Sequence, residues 1–180
     1  MEIILKNNES LNKEIEVLKK GLFVDTIKLS NKQSDLAKKE NNDCVVRAFM
    51  AALDIPYDQA HAWIKKSMNR EDRKGTYTGQ AIQKVEGKVK NGYKLSFMGL
   101  NPAKIHWKKI TGSNKILNNP KYKKQTGYTL KSFIENNPVG RFVLIVQGHA
   151  VAVVNGVLYA NTNENAIGLY RSVWFGWNCK

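Results

Sequence analysis

The stretch Asn41-Asn42-Asp43-Cys44-Val45-Val46-Arg47-Ala48-Phe49-Met50-Ala51-Ala52-Leu53 reads as a polar approach followed by a buried helix that begins at a cysteine. Cys44, Ala48, Ala51 and Ala52 share a face at helical spacing, Val45 and Phe49 flank it, and Asp43 or Asn42 is placed to cap the first turn. The small alanines allow a sheet or a second helix to approach closely. A thiol at a helix start meets the positive end of the helix dipole and unpaired backbone N–H groups, which favours thiolate and suits an oxyanion. This is the setting a cysteine nucleophile needs, provided the rest of the chain supplies a base and an orienting group.

Towards the C-terminus, Pro56 ends this helix and Tyr57 to Lys66 predicts a second one, with Tyr57, Ala60 and Ile64 at helical spacing and His61 beside that face as a packing histidine. Residues 69–79 read as a loop, Gln80 to Glu86 as a short helix and Tyr93 to Met98 as a strand. Thr129 to Asn136 predicts a short helix capped by Thr129, ended by Pro138 and Gly140. Arg141 to Val146 and Gly148 to Val154 are strands, Asn155-Gly156 is a strong hairpin turn, and Val157 to Asn161 returns as a third strand. Arg171 to Phe175 predicts a fourth, before a tail ending Trp177-Asn178-Cys179-Lys180. Helices followed by an antiparallel meander define an α+β domain.

Towards the N-terminus, residues 9–20 place Leu11, Ile15 and Leu18 on one helical face, and Gly21 follows as a stop. Leu22 to Leu29 reads as a strand and Ser30 to Glu40 as a polar connection without periodicity. Residues 1–40 are thus expected as an N-terminal helix–strand appendage to a main domain over 41–180. Within that domain, about 99–127 forms a long irregular insert rich in lysine.

A chain of 180 residues suits one domain with a sizeable core. No apolar run, Phe142 to Val146 included, approaches the length needed to span a bilayer, and the first residues lack the order of a signal peptide, so an intracellular protein without membrane contact is expected. Two cysteines, Cys44 and Cys179, are too few for a disulfide framework, and with three scattered histidines neither a metal nor a cofactor is expected. The net charge is +14, and no acidic residue falls between Glu86 and Glu135, where eleven lysines do, Lys104, Lys108, Lys109, Lys121, Lys123 and Lys124 among them. Such a segment attracts nucleic acid or an acidic protein, with salt-sensitive affinity; the alternative reading is a solvated lysine-rich surface.

The second half of the site is sought in the hairpin. His149, Val151 and Val153 share one side of a strand, a row expected to point at the packed helix. Across the Asn155-Gly156 turn, Asn161 falls about opposite His149, where a carboxamide would orient the imidazole; Asn163, two residues on, is the fallback. The order of cysteine at a helix start, histidine on a strand about a hundred residues later and asparagine on the next strand resembles the papain-like cysteine peptidases. The strings Asn42-Asp43-Cys44-Val45-Val46-Arg47-Ala48, Pro138-Val139-Gly140-Arg141-Phe142 and Gly148-His149-Ala150-Val151-Ala152-Val153 are similar to small papain-fold proteins of tailed bacteriophages.

The resemblance covers about residues 40–161. It implies a papain-like fold with the cysteine helix packed on an antiparallel sheet, Cys44 as nucleophile, His149 as general base and acid, and Asn161 as orienter. It also implies a thiol protease or related hydrolase, a protein or peptide substrate, and a location in the host bacterial cytoplasm or the virion. The glutamine that usually precedes the nucleophile is missing, which leaves Asn41 or Asn42 to hold the oxyanion with the Cys44 backbone N–H. A reading from a different class is a non-catalytic papain-fold binding module that uses the basic segment 88–131.

Overall fold

The computed structural model describes residues 23–76, 84–100, 128–146, 148–160 and 172–180. The helix expected over 9–20, the insert over 99–127 with its seven lysines, Asn161 and Asn163 lie outside the described residues, apart from Gly99 and Leu100.

The protein is of mixed α+β class, five helices and a seven-stranded sheet among the described residues. In chain order these are β1 (Phe23–Asp25), α1 (Thr26–Gln33), α2 (Asp35–Lys39), α3 (Cys44–Leu53), α4 (Tyr57–Met68), β2 (Val89–Lys90), β3 (Tyr93–Gly99), α5 (Leu130–Asn136), β4 (Arg141–Val146), β5 (His149–Val154), β6 (Val157–Ala160) and β7 (Val173–Cys179). The sheet order is β1-β6-β5-β4-β7-β3-β2. All neighbours run antiparallel except β1, which pairs with β6 in parallel.

Three expectations are corrected. The strand expected over Leu22 to Leu29 ends at Asp25, because the Asp25 carboxylate accepts from the Ile27 and Lys28 N–H groups and starts α1 instead. Ser34 does the same for α2, accepting from Ala37 N, so the supposed polar connection is mostly helical. The C-terminal segment is a full strand rather than a tail, and β7 lies between β4 and β3, so the sheet is not a simple meander. Its Trp177 is wholly buried, with ring centroids 5.3 Å from Phe49 and 5.9 Å from Phe175. Where β7 crosses β4, Gly176 admits no side chain: a Cβ there would come within 2.3 Å of the Val143 carbonyl oxygen.

The strand period sorts the sheet into two apolar layers. Val143 and Ile145 of β4, Ala150 and Ala152 of β5, and Trp177 and Cys179 of β7 face α3 and α4. Phe142, Leu144, Val146, Val151, Val153 and Leu158 face the other way, with Leu130 and Phe133 of α5. That short helix carries a reciprocal cap between Thr129 and Ser132, as its sequence indicates.

Helix α3 is fastened at both ends. At its C-terminus Arg141 of β4 donates to the carbonyls of Ala52 at 2.6 Å and Ala51 at 3.0 Å, and Asn91 donates to those of Leu53 and Asp54. At its N-terminus Asp43 makes no cap to the helix, contrary to expectation. Its carboxylate turns sideways, accepting from Arg47 Nε at 2.8 Å and Tyr57 Oη at 2.6 Å. The Arg47 guanidinium also reaches the Ser30 hydroxyl and the Thr26 and Ala37 carbonyls, so one buried cation ties α1 and α2 to α3. No described helix is long and apolar enough to cross a membrane.

Candidate active site

Cys44 is the first residue of α3 and is half-buried. It lines a cleft of about 400 Å³, a volume within the range of small-ligand sites. Asn42 and Val45 flank it, Gly75 and Thr76 come from the loop after α4, and Ile145 and Val146 from the end of β4. His149, Ala150 and Trp174 complete the wall. The structure therefore brings Cys44 and His149, more than a hundred residues apart in sequence, to one cavity.

The reason His149 is there differs from the expected one. Helix α3 packs on Ala150 and Ala152, whereas Val151 and Val153 belong to the layer under α5. The row containing His149 thus faces away from the cysteine helix. His149 lines the cleft because it stands at the open end of β5, just after Gly148, whose φ of +68° turns the chain at that point.

The electrostatics of Cys44 also correct the sequence reading. Burial pushes its thiol above the ordinary value; the Ala150 and Val45 backbone N–H groups pull it down, and the Asp43 carboxylate adds to the upward shift. The helix start supplies the expected donors, but desolvation outweighs them. The direction of the shift favours the thiol form over the thiolate.

Of the two oxyanion candidates, Asn42 lines the cleft and Asn41 turns its backbone carbonyl to Arg70 at 3.3 Å. Asn42 holds a left-handed φ of 53°, and its Nδ2 lies 3.4 Å from the Arg73 carbonyl oxygen. The loop that carries both is anchored by Glu40, which accepts from Arg70 Nη2 at 2.6 Å and from Arg73 N at 2.9 Å. Sequence reasoning missed Glu40, Arg70, Gly75, Thr76 and Trp174. Residues 69–79 carry only loop character in sequence, and nothing in one dimension pairs position 40 with position 70.

His61 is buried, as expected of a packing residue, yet its neighbours are ionic. Its Nε2 lies 3.0 Å from Arg70 Nη1 and 3.6 Å from carboxylate oxygens of Glu40 and Asp72. A guanidinium only donates, so in this contact Nε2 is the acceptor. Ligand atoms of Glu40, His61 and Asp72 lie within 4.8 Å of one another, a spacing that would suit a cation, and the Arg70 guanidinium supplies one.

Searched against protein-family models, curated proteins and solved structures, the chain gives no match. The class defined by the fold and the site is an α+β protein with a helix-borne cysteine and a strand-borne histidine in one cleft.

Proposed function

We propose that the protein is a papain-like, cysteine-dependent amide hydrolase of bacteriophage type, acting on a protein or peptide in the host cytoplasm. The observation that carries this reading is that Cys44 and His149 line one cleft from separate elements. In the proposed reaction His149 takes the thiol proton as sulfur attacks the amide carbonyl carbon. The oxyanion is met by the Cys44 backbone N–H and Asn42. His149 then gives its proton to the departing amine, leaving a thioester that water hydrolyses. Asn161 is assigned the orientation of the imidazole, and no cofactor enters any step.

The test is alkylation of Cys44 by iodoacetamide across pH. With a resting thiol above its ordinary value, the wild-type rate at pH 7 exceeds that of His149→Ala by about tenfold or more, and the two converge at alkaline pH where the thiol ionises unaided. Equal rates at pH 7 overturn the assignment of His149.

The binding-module reading is favoured by a separate observation, the acid-free, lysine-rich stretch in a chain of net charge +14. Retention on DNA or RNA at low salt, lost steeply as salt rises, is its expected signature. No retention at low salt overturns it. The two readings are compatible if the basic segment delivers the enzyme to its target.

A further inference from the structure

Trp174 is the residue of β7 that the ladder with β4 skips. Ile145 pairs with Phe175 and Val146 with Val173, so Trp174 stands between two registers without a partner on β4. A bulge of this kind inverts the alternation of its strand and re-aims a side chain. Its effect is visible in the neighbours: Val173 belongs to the layer under α5, whereas Phe175 packs with the α3 layer. In a regular strand these two residues would share a face. The extra residue is left outside both cores, with its carbonyl held by Leu100 N at 3.2 Å and its side chain 39% exposed on the wall of the cleft.

The rest of that wall states what Trp174 faces. Val45, Ile145, Val146 and Ala150 supply apolar surface, and the polar contributions are a thiol, an imidazole, a carboxamide and a hydroxyl. No Asp, Glu, Lys or Arg lines the described cleft, although the chain carries 44 such residues, 29 basic and 15 acidic. A wall whose described side chains carry no Asp, Glu, Lys or Arg and include an indole desolvates a charged group at a loss and an apolar one at a gain.

We infer that Trp174 is a specificity-determining residue, holding a large apolar side chain of a peptide substrate beside the carbonyl that Cys44 attacks. This rests on the proposed amide hydrolase and names its substrate class: peptides with an aromatic or large aliphatic residue at the cleaved bond. Trp174 touches the substrate without touching the atoms that react.

The experiment compares two reagents on the intact chain, N-acetyl-phenylalanyl and N-acetyl-glycyl chloromethyl ketone. In each, the Cys44 sulfur forms a bond to the methylene carbon, chloride leaves, and the thiol proton passes to His149 or the buffer. Intact mass gives the rates. The phenylalanyl reagent is expected to react about tenfold faster than the glycyl one, the scale of burying one aromatic side chain in part. Trp174→Ala brings the two within about twofold, and Trp174→Phe keeps most of the preference. Methyl methanethiosulfonate, which carries no side chain, reads the thiol alone and reacts equally with all three proteins, which also shows that the variants are folded around Cys44. The inference is overturned if the wild type does not prefer the phenylalanyl reagent, or if Trp174→Ala keeps the preference. Because the ratio compares two reagents on one thiol, it is read whether or not His149 proves to be the base.

Discussion

Arg70 and Glu40, thirty positions apart, form a buried ion pair with Nη2 and Oε2 separated by 2.6 Å. Glu40 leads into the loop that ends at Cys44, and Arg70 begins the loop that supplies Gly75 and Thr76, so the pair joins two walls of the cleft. Burial raises the Glu40 carboxyl, but the hydrogen bonds from Arg70 and the Arg73 N–H outweigh it and hold the group below its ordinary value. A carboxyl lowered in the folded state contributes stability that is present above its unfolded value and lost as pH falls through the folded one. Urea unfolding from pH 6 down to pH 3 is expected to show that loss in the wild type and a shallower slope in Glu40→Gln. Equal slopes would remove Glu40 from the account.

Removing one member of such a pair leaves the other charge buried. Arg70→Met is expected to destabilise the fold by about 3 kcal/mol or more, measured by urea unfolding at pH 7.

The Asp43–Arg47 pair makes a sharper case, because both side chains are 4% exposed and Arg47 serves Asp43, Ser30 and two carbonyls at once. Arg47→Lys keeps the charge but not the planar fork, and is expected to cost about 2 kcal/mol or more in unfolding free energy. Tyr57→Phe removes one hydrogen bond to Asp43 and is expected to cost about 1–2 kcal/mol.

The two thiols differ in access. Cys179 is 4% exposed and burial pushes its thiol to about 12, while Cys44 is half-buried and opens on the cleft. Thiol reagents at pH 8 are expected to modify Cys44 first, with Cys179 labelled only after unfolding. Groups raised in the folded state contribute stability present below their unfolded values and lost as pH rises towards the folded ones. Stability should therefore decline from about pH 8.5 upward, the ordinary thiol value, and Cys179→Ala should decline less steeply. Simultaneous labelling of both thiols in the folded protein would contradict the burial of Cys179.

Trp177→Ala removes the largest fully buried side chain among the described residues and its contacts with Phe49 and Phe175. The expected cost is about 3–5 kcal/mol by urea unfolding, from lost burial and the cavity left behind. A loss below 1 kcal/mol would show that the C-terminal strand is not an integral part of the sheet.

What the sequence determined by itself was local. Periodicity placed α3, α4, β4 and β5, the Asn155-Gly156 pair set the β5–β6 hairpin, and the thiol at a helix start marked Cys44, because each of these signals lies within a few neighbouring residues. The caps at Asp25 and Ser34 were equally local and went unread, since a serine or aspartate in a polar stretch resembles any loop residue.

Tertiary structure decided the rest. It placed β7 between β4 and β3, put His149 on the row opposite to the expected one while keeping it at the cleft, and raised the Cys44 thiol that the helix start alone would lower. It also joined Glu40 to Arg70 and turned Trp174 outward through a bulge. Strand order, desolvation and bulge position depend on which distant segments meet, and a periodic pattern describes only the face a segment presents, never the partner that covers it.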